Sequence, residues 1–445
     1  MKKTMTDGSP LYVIISFAIP LLIGNIFQQI YSFADAIIVG NFIGPDALAE
    51  VGASGSVVAL LIFLLMGFTN GVSILIAQYY GRESEKDICS TVSGLFNIII
   101  MVSVILGVSG YMFSGWLLKL MNTPDELLCD ATTYLKIMFI GVPALSIYNA
   151  ESAIVRSMGK NIMPLVVLIC SSLLNVGLDI IFILVFNMGV EGAAYATILS
   201  QFISAIICTI YMIIKRKELM LSGVTFNLSR KKDYKNILKM GIPTAFQSSV
   251  ITLGAMCIQG LVNSFGKTTM SAYTAANKID TIAIQVVVSL GISVSVFTGQ
   301  NIGAGNIERI RAMVKKVVIL QIAVCSLVAI IIVINRESLL RLFLTTKSDE
   351  AVSIGSLYIS IIGIAYISAG IMQTYLNALK GAGDINFSMK VGMIEVGLRI
   401  VIAIILSKIL CSATGIWIAT PVAWIIACVC TIFRYKSNKW TNLSL

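Results

Sequence analysis

Few residues of this chain carry chemical potential, and they stand where charge is expensive. Asp35 lies in the stretch YSFADAIIVG, inside an apolar run from Leu11 to Gly44, while Asn175 and Asp179 sit four apart in another apolar run and Thr197 in a third. A carboxylate at mid-bilayer depth costs roughly 2.5–3.5 kcal/mol, so it marks a functional site unless it snorkels to water at a helix end. Two carboxylates, an amide and a hydroxyl offer two chemistries. Oxygen ligands suit a hard cation such as Na⁺, and adjacent buried carboxyls can share a proton. The chain has no histidine, which removes the usual near-neutral base and leaves these acids as candidates for a proton relay.

The remaining buried polar candidates are weaker. Gln28, seven residues before Asp35, shares its helical face, and Lys278 and Asp280 could each line a cavity although two residues apart they face different ways. Glu395 and Arg399, spaced i and i+4, suit a neutralised structural ion pair. Glu151 and Lys136 are expected within reach of the membrane interfaces. Nine cysteines form no CxxC pair, and no HExxH motif or nucleophile signature is present, so neither an enzyme nor a bound cofactor is expected.

These residues must be positioned by membrane helices. Of 445 residues, 57% are hydrophobic and 12% charged, against about 25% charged in soluble proteins. Cutting the chain at its charged and Pro/Gly-rich interruptions gives twelve spans of the required length: 11–43, 50–79, 92–118, 132–155, 162–186, 190–214, 240–263, 271–299, 316–335, 352–378, 386–407 and 415–433. The expected fold is an all-α polytopic membrane protein with two pseudo-symmetric six-helix bundles. The first is 1–215, the second 240–445, and a basic connector, 216–239, joins them. Loop Lys and Arg residues number 23 on one side, Lys2 and Lys3 included, and six on the other, Lys347 included. Both termini are therefore expected in the cytoplasm. The net charge of +10 is explained by that asymmetry and by anionic lipid, with no nucleic-acid partner.

Topology then sets depth. At the helical rise, Asp35 lies about 13 Å before the turn at Gly44, Asp179 about 12 Å before Asn187, and Thr197 about 10 Å past Val190. Asp35, Asn175, Asp179 and Thr197 thus share one slab in the outer half of the first bundle. Pro20, about four turns from Asp35, removes a helical hydrogen bond and is a candidate hinge.

The two halves repeat. Ile19-Pro20 recurs as Ile242-Pro243, Gly44 as Gly266, Ala49 as Ala272, Gln78-Tyr79-Tyr80-Gly81 as Gln300-Asn301-Ile302-Gly303, and Arg156-Ser157-Met158-Gly159 as Lys380-Gly381-Ala382-Gly383, at offsets of 222 to 224. An even number of spans per copy makes the copies parallel, a plan typical of secondary transporters.

Phe33-Ala34-Asp35-Ala36-Ile37-Ile38-Val39-Gly40, followed by Ala47-Leu48-Ala49-Glu50-Val51-Gly52, resembles the span 1 to span 2 signature of the multidrug and toxic compound extrusion (MATE) transporters. Ile76-Ala77-Gln78-Tyr79-Tyr80-Gly81, Arg156-Ser157-Met158-Gly159-Lys160, Asn175-Val176-Gly177-Leu178-Asp179 and Gly192-Ala193-Ala194-Tyr195-Ala196-Thr197 with Gln201 match further stretches of that family. The resemblance implies a multidrug efflux antiporter, expected in the inner (cytoplasmic) membrane and as a monomer. It would export amphipathic, often cationic organic compounds in exchange for H⁺ or Na⁺. It also implies that Asp35, Asn175, Asp179 and Thr197 form the ion-coupling site and that span 1 bends at Pro20. Acidic residues that some members carry in spans 7 and 10 are missing here, which shifts weight to the first bundle. The alternative is a lipid-linked saccharide flippase of the same superfamily, kept in view by Lys278 and Arg399.

Overall fold

A computed structural model describes residues 5–121, 123–225, 230–344 and 348–442; Lys2, Lys3 and Lys347 of the charge asymmetry lie outside them. Twelve long helices run through the described chain. They are α1 (Pro10–Phe42), α2 (Pro45–Gly81), α3 (Glu85–Leu120), α4 (Asp125–Ser157), α5 (Ile162–Ile180), α6 (Gly189–Ile214), α7 (Lys231–Asn263), α8 (Lys267–Gly303), α9 (Ile307–Ile334), α11 (Asp349–Gly381), α12 (Ile385–Ile409) and α13 (Thr414–Lys436), with the short α10 (Arg336–Phe343) after α9. Eleven are long and apolar enough to cross a membrane by length and composition. The twelfth, α12, is 25 residues long and has its apolar run broken by Lys390, Glu395, Arg399 and Lys408. Most helices extend beyond the expected spans because only their middle portion has to be apolar.

The repeat is visible in the backbone. Gly159 and Gly383 both adopt left-handed φ, 82° and 94°, where a Cβ would be strained. Each ends its helix with the same pair of bonds: Gly159 N to Arg156 O at 2.9 Å and Lys160 N to Val155 O at 3.2 Å, then Gly383 N to Lys380 O and Asp384 N to Leu379 O, both at 2.9 Å. Such closures satisfy the orphan carbonyls of a helix end.

By contacts the chain falls into two compact units: residues 23–245, and residues 5–22 with 246–442 among those described. Within the first, α4 packs on α2, α3 and α6; within the second, its repeat partner α11 packs on α8, α9 and α13. The opening segments of α1 and α7 are exchanged relative to the proposed halves 1–215 and 240–445. Ile14, Phe17 and Ala18 of α1 join a core with Val294, Phe297 and Val314. Met240 and Thr244 of α7 lie on Gly71 of α2, where an added Cβ would meet the Met240 carbonyl oxygen at 2.4 Å. Close backbone approach at a small residue is how helices associate without a hydrophobic drive from lipid. On both helices the change of unit falls just after an in-helix proline, past Leu22 for Pro20 and past Ala245 for Pro243.

The connector after α6 is docked, with Leu219, Met220 and Leu221 buried. Cys89 Sγ donates to Met220 O at 3.3 Å, and Glu218 pairs with both Lys160 and Lys215. Those two ammonium groups hold the exposed Glu218 carboxyl below its ordinary range.

Candidate ion-coupling site

Three helices of the first unit bring four expected residues together. α5 presents Asn175 and Asp179, which are 1% and 0% exposed, one turn apart on one face. α6 presents Thr197, whose hydroxyl accepts from Asn175 Nδ2 at 3.5 Å. α1 presents Asp35, whose carboxyl lies beside that of Asp179. The α4–α6 approach is set beside Thr197 by Gly141, where an added Cβ would come within 2.6 Å of Ile198. Immediately after Ile180 the α5 ladder widens into a π-helical turn, Ile181–Val185, a local distortion frequent at functional sites.

The site is rich in acceptors and poor in donors. Asp35 Oδ1, Asn175 Oδ1 and both carboxyl oxygens of Asp179 are buried without a hydrogen-bond partner. Buried polar groups are normally satisfied, and four acceptor atoms stand open here in one place. A proton held between the two carboxyls, or a hard cation ringed by these oxygens, fits that donor set. The wall is apolar: Ile38, Val39, Ile137, Met138, Ile183 and Ile198 form a buried cluster.

Two tyrosines belong to this site although the sequence did not single them out. Tyr31, one helical turn before Asp35 on α1, lies near Thr197 and both aspartates. Tyr134 of α4, 8% exposed, faces Asp35, Asp179 and Tyr31. The i, i+4 spacing was a usable signal for Tyr31; Tyr134 had none beyond its repeat partner, Tyr358.

The other candidates lie apart from these four. Gln28 is exposed on α1. In the second unit Asp280 accepts from Tyr366 Oη at 2.7 Å and from Tyr358 Oη at 3.2 Å, beneath a cluster in which Tyr273 stacks on Trp417 at 5.2 Å. Lys278, on a different face of α8, lies over the Phe343 ring at 5.8 Å. Arg399 Nη1 stands 3.9 Å from Glu395 Oε1, a spacing at the outer limit of an ion pair. Pro20 lies inside the unbroken α1. Glu151 is 1% exposed, because α4 is enclosed by its neighbours on several sides. Lys136 sits over the Tyr111 ring at 5.5 Å.

The MatE family model matches residues 20–181 and again 243–405, so both copies of the repeat are recognised separately. The chain belongs to the MatE family. Among similar MatE relatives, a probable multidrug resistance protein of Bacillus subtilis, YpnP, is 30% identical over 99% of this chain and 98% of its own length. A second from the same organism, YoeA, is 27% identical over 95% and 93%. The fold of this MatE chain is similar to that of an outward-facing multidrug resistance MATE family transporter of the MOP superfamily, with a TM-score of 0.90, 21% identity and coverage of 99% and 98% of the two chains. It is a multi-pass membrane protein of a multidrug efflux transporter family.

Proposed function

We propose that the protein is a secondary active antiporter that exports amphipathic, often cationic organic compounds in exchange for H⁺ or Na⁺. The observation that carries this reading is the cluster of open acceptors on Asp35, Asn175 and Asp179 beside Thr197. Entry of a cation neutralises the facing carboxyls, and loss of the cation restores their repulsion. The two occupancies therefore favour different positions of α1 relative to α5, a differential interaction of the kind any ligand-driven conformational change requires. Pro20 is the proposed hinge, supported by its missing backbone donor and by the change of packing partners just beyond it. The positive-inside rule supports both termini facing the cytoplasm of the inner membrane, and relatives named for multidrug resistance support small organic substrates. The protein is proposed to act as a monomer, without cofactor or nucleic acid.

The test is ethidium efflux, in cells and in proteoliposomes with pH and sodium gradients imposed separately. Asp35→Asn is expected to abolish gradient-driven efflux while the protein remains folded and inserted. Full export by that variant would sink the coupling role. No ethidium export by the wild type would favour the lipid-linked saccharide flippase.

A further inference from the structure

A second buried carboxyl lies in the same unit as the Asp35–Asp179 pair. Glu151 of α4 is 1% exposed; its Oε1 accepts from Thr209 Oγ1 of α6 at 2.5 Å, and its Oε2 has no partner. Thr209 stands twelve residues beyond Thr197 on α6, about 18 Å along the axis. Glu151 is thus near the end of the unit where α4 closes at Ser157, the cytoplasmic end in the proposed orientation.

A polar seam joins the two levels. The antiparallel register of α5 and α6 is fixed by Asn175 against Thr197 at one end and Met163 against Cys208, 4.0 Å apart, at the other. Along α6, Thr197, Ser200, Ser204 and Cys208 recur at three- or four-residue steps and so share a stripe. Ser200, Ser204 and Cys208 are buried, as is Ser172 of α5 at the level of Ser200. The Ser200 and Ser204 hydroxyls donate to the carbonyls of Ala196 and Ser200, both at 2.7 Å. Each therefore offers the seam only lone pairs, the polarity that accepts from water or hydronium. At the far end Cys208 lies beside Glu151 and Ser152. The titratable group beside Glu151 is Cys208 of α6, which in turn is near Tyr148 and Arg156 of α4, and among the described residues Glu151 forms no ion pair. The repeat offset of 224 places Tyr375 at the equivalent position of the other unit, so only the unit with the aspartate pair has this acid.

We propose that Glu151 is a second proton-binding site of the transport cycle, receiving the proton that the Asp35–Asp179 pair releases and passing it to water at the cytoplasmic end. The proton leaves the pair, travels on water accepted by the α6 hydroxyls, adds to Glu151 Oε2 and departs to bulk water, which regenerates the carboxylate. This rests on the antiport reading above and narrows the coupling ion to H⁺.

The experiment uses the full chain in proteoliposomes carrying a luminal pH-sensitive dye, with ethidium as substrate. Glu151→Gln is expected to slow pH-driven transport and its proton flux at least tenfold, to reduce substrate counterflow at equal pH less than twofold, and to be largely rescued by Glu151→Asp. Wild-type proton flux in Glu151→Gln would overturn the proposal, and so would an equal loss of counterflow, which would make Glu151 a structural prop. Transport driven by a sodium gradient without proton flux would also overturn it while leaving antiport intact. Full gradient-driven transport by Asp35→Asn would bring down the coupling role of the aspartate pair, and absence of ethidium export by the wild type the antiport reading itself.

Discussion

Each unit holds an acid beside a tyrosine at an equivalent position of the repeat, Tyr134 in one and Tyr358 in the other, yet the two sites are finished differently. Asp280 has a tyrosine hydroxyl on each oxygen. Asp35 and Asp179 face each other with three oxygens open. Unmet hydrogen-bonding capacity in a buried place costs stability, and it persists where a ligand is to complete it. A satisfied carboxylate is part of the framework. The difference sets open acceptors in one unit against a carboxyl that ties α8 to α11 in the other, and under the proposed antiport only the first would load and unload an ion.

The largest contrast is expected in transport. Asp35→Leu should reduce gradient-driven ethidium efflux from proteoliposomes at least tenfold, whereas Asp280→Leu should leave the ratio of counter-ion to substrate unchanged in whatever fraction folds. An uncoupled Asp280→Leu would erase the distinction. Stability should reverse the order. Asp280→Leu leaves two buried tyrosine hydroxyls unpaired, at about 1–3 kcal/mol each, while Asp179→Leu removes only unmet acceptors and should be neutral or stabilising; thermal unfolding in detergent reads both. Gly141→Val should then cost about 1–3 kcal/mol by overpacking and weaken ion dependence, because it pushes α6 at Ile198, next to Thr197. The smallest effect concerns Glu218. Its depressed carboxyl contributes stability above the ordinary carboxylate range and loses it as pH falls through the folded value. Because the group is exposed, Glu218→Gln should differ from wild type only marginally at neutral pH, and the two melting curves should converge in acid.

Much of the arrangement is legible in the sequence. Apolar length gave the helices, and a count of rises placed Asp35, Asn175, Asp179 and Thr197 in one slab. Lateral packing was not legible. Glu151 was judged by its distance from a helix end, but α4 is enclosed by α2, α3 and α6, so proximity to the end does not expose it. The hydroxyls that meet Asp280 come from α11, about eighty residues away, beyond the reach of local spacing. Tyr134 was hidden for the same reason. Periodicity tells which way a side chain points on its own helix; it does not tell what another helix brings to meet it.

The exchanged beginnings of α1 and α7 bear on the ancestry of the molecule. A half-length forebear built on this plan would have carried its first helical segment without a place for it in its own bundle, and its natural resting form would have been a pair of identical chains trading those segments. Domain swapping of that kind is a low-cost route to a dimer. In the single chain each core takes its missing segment from the other half of the sequence.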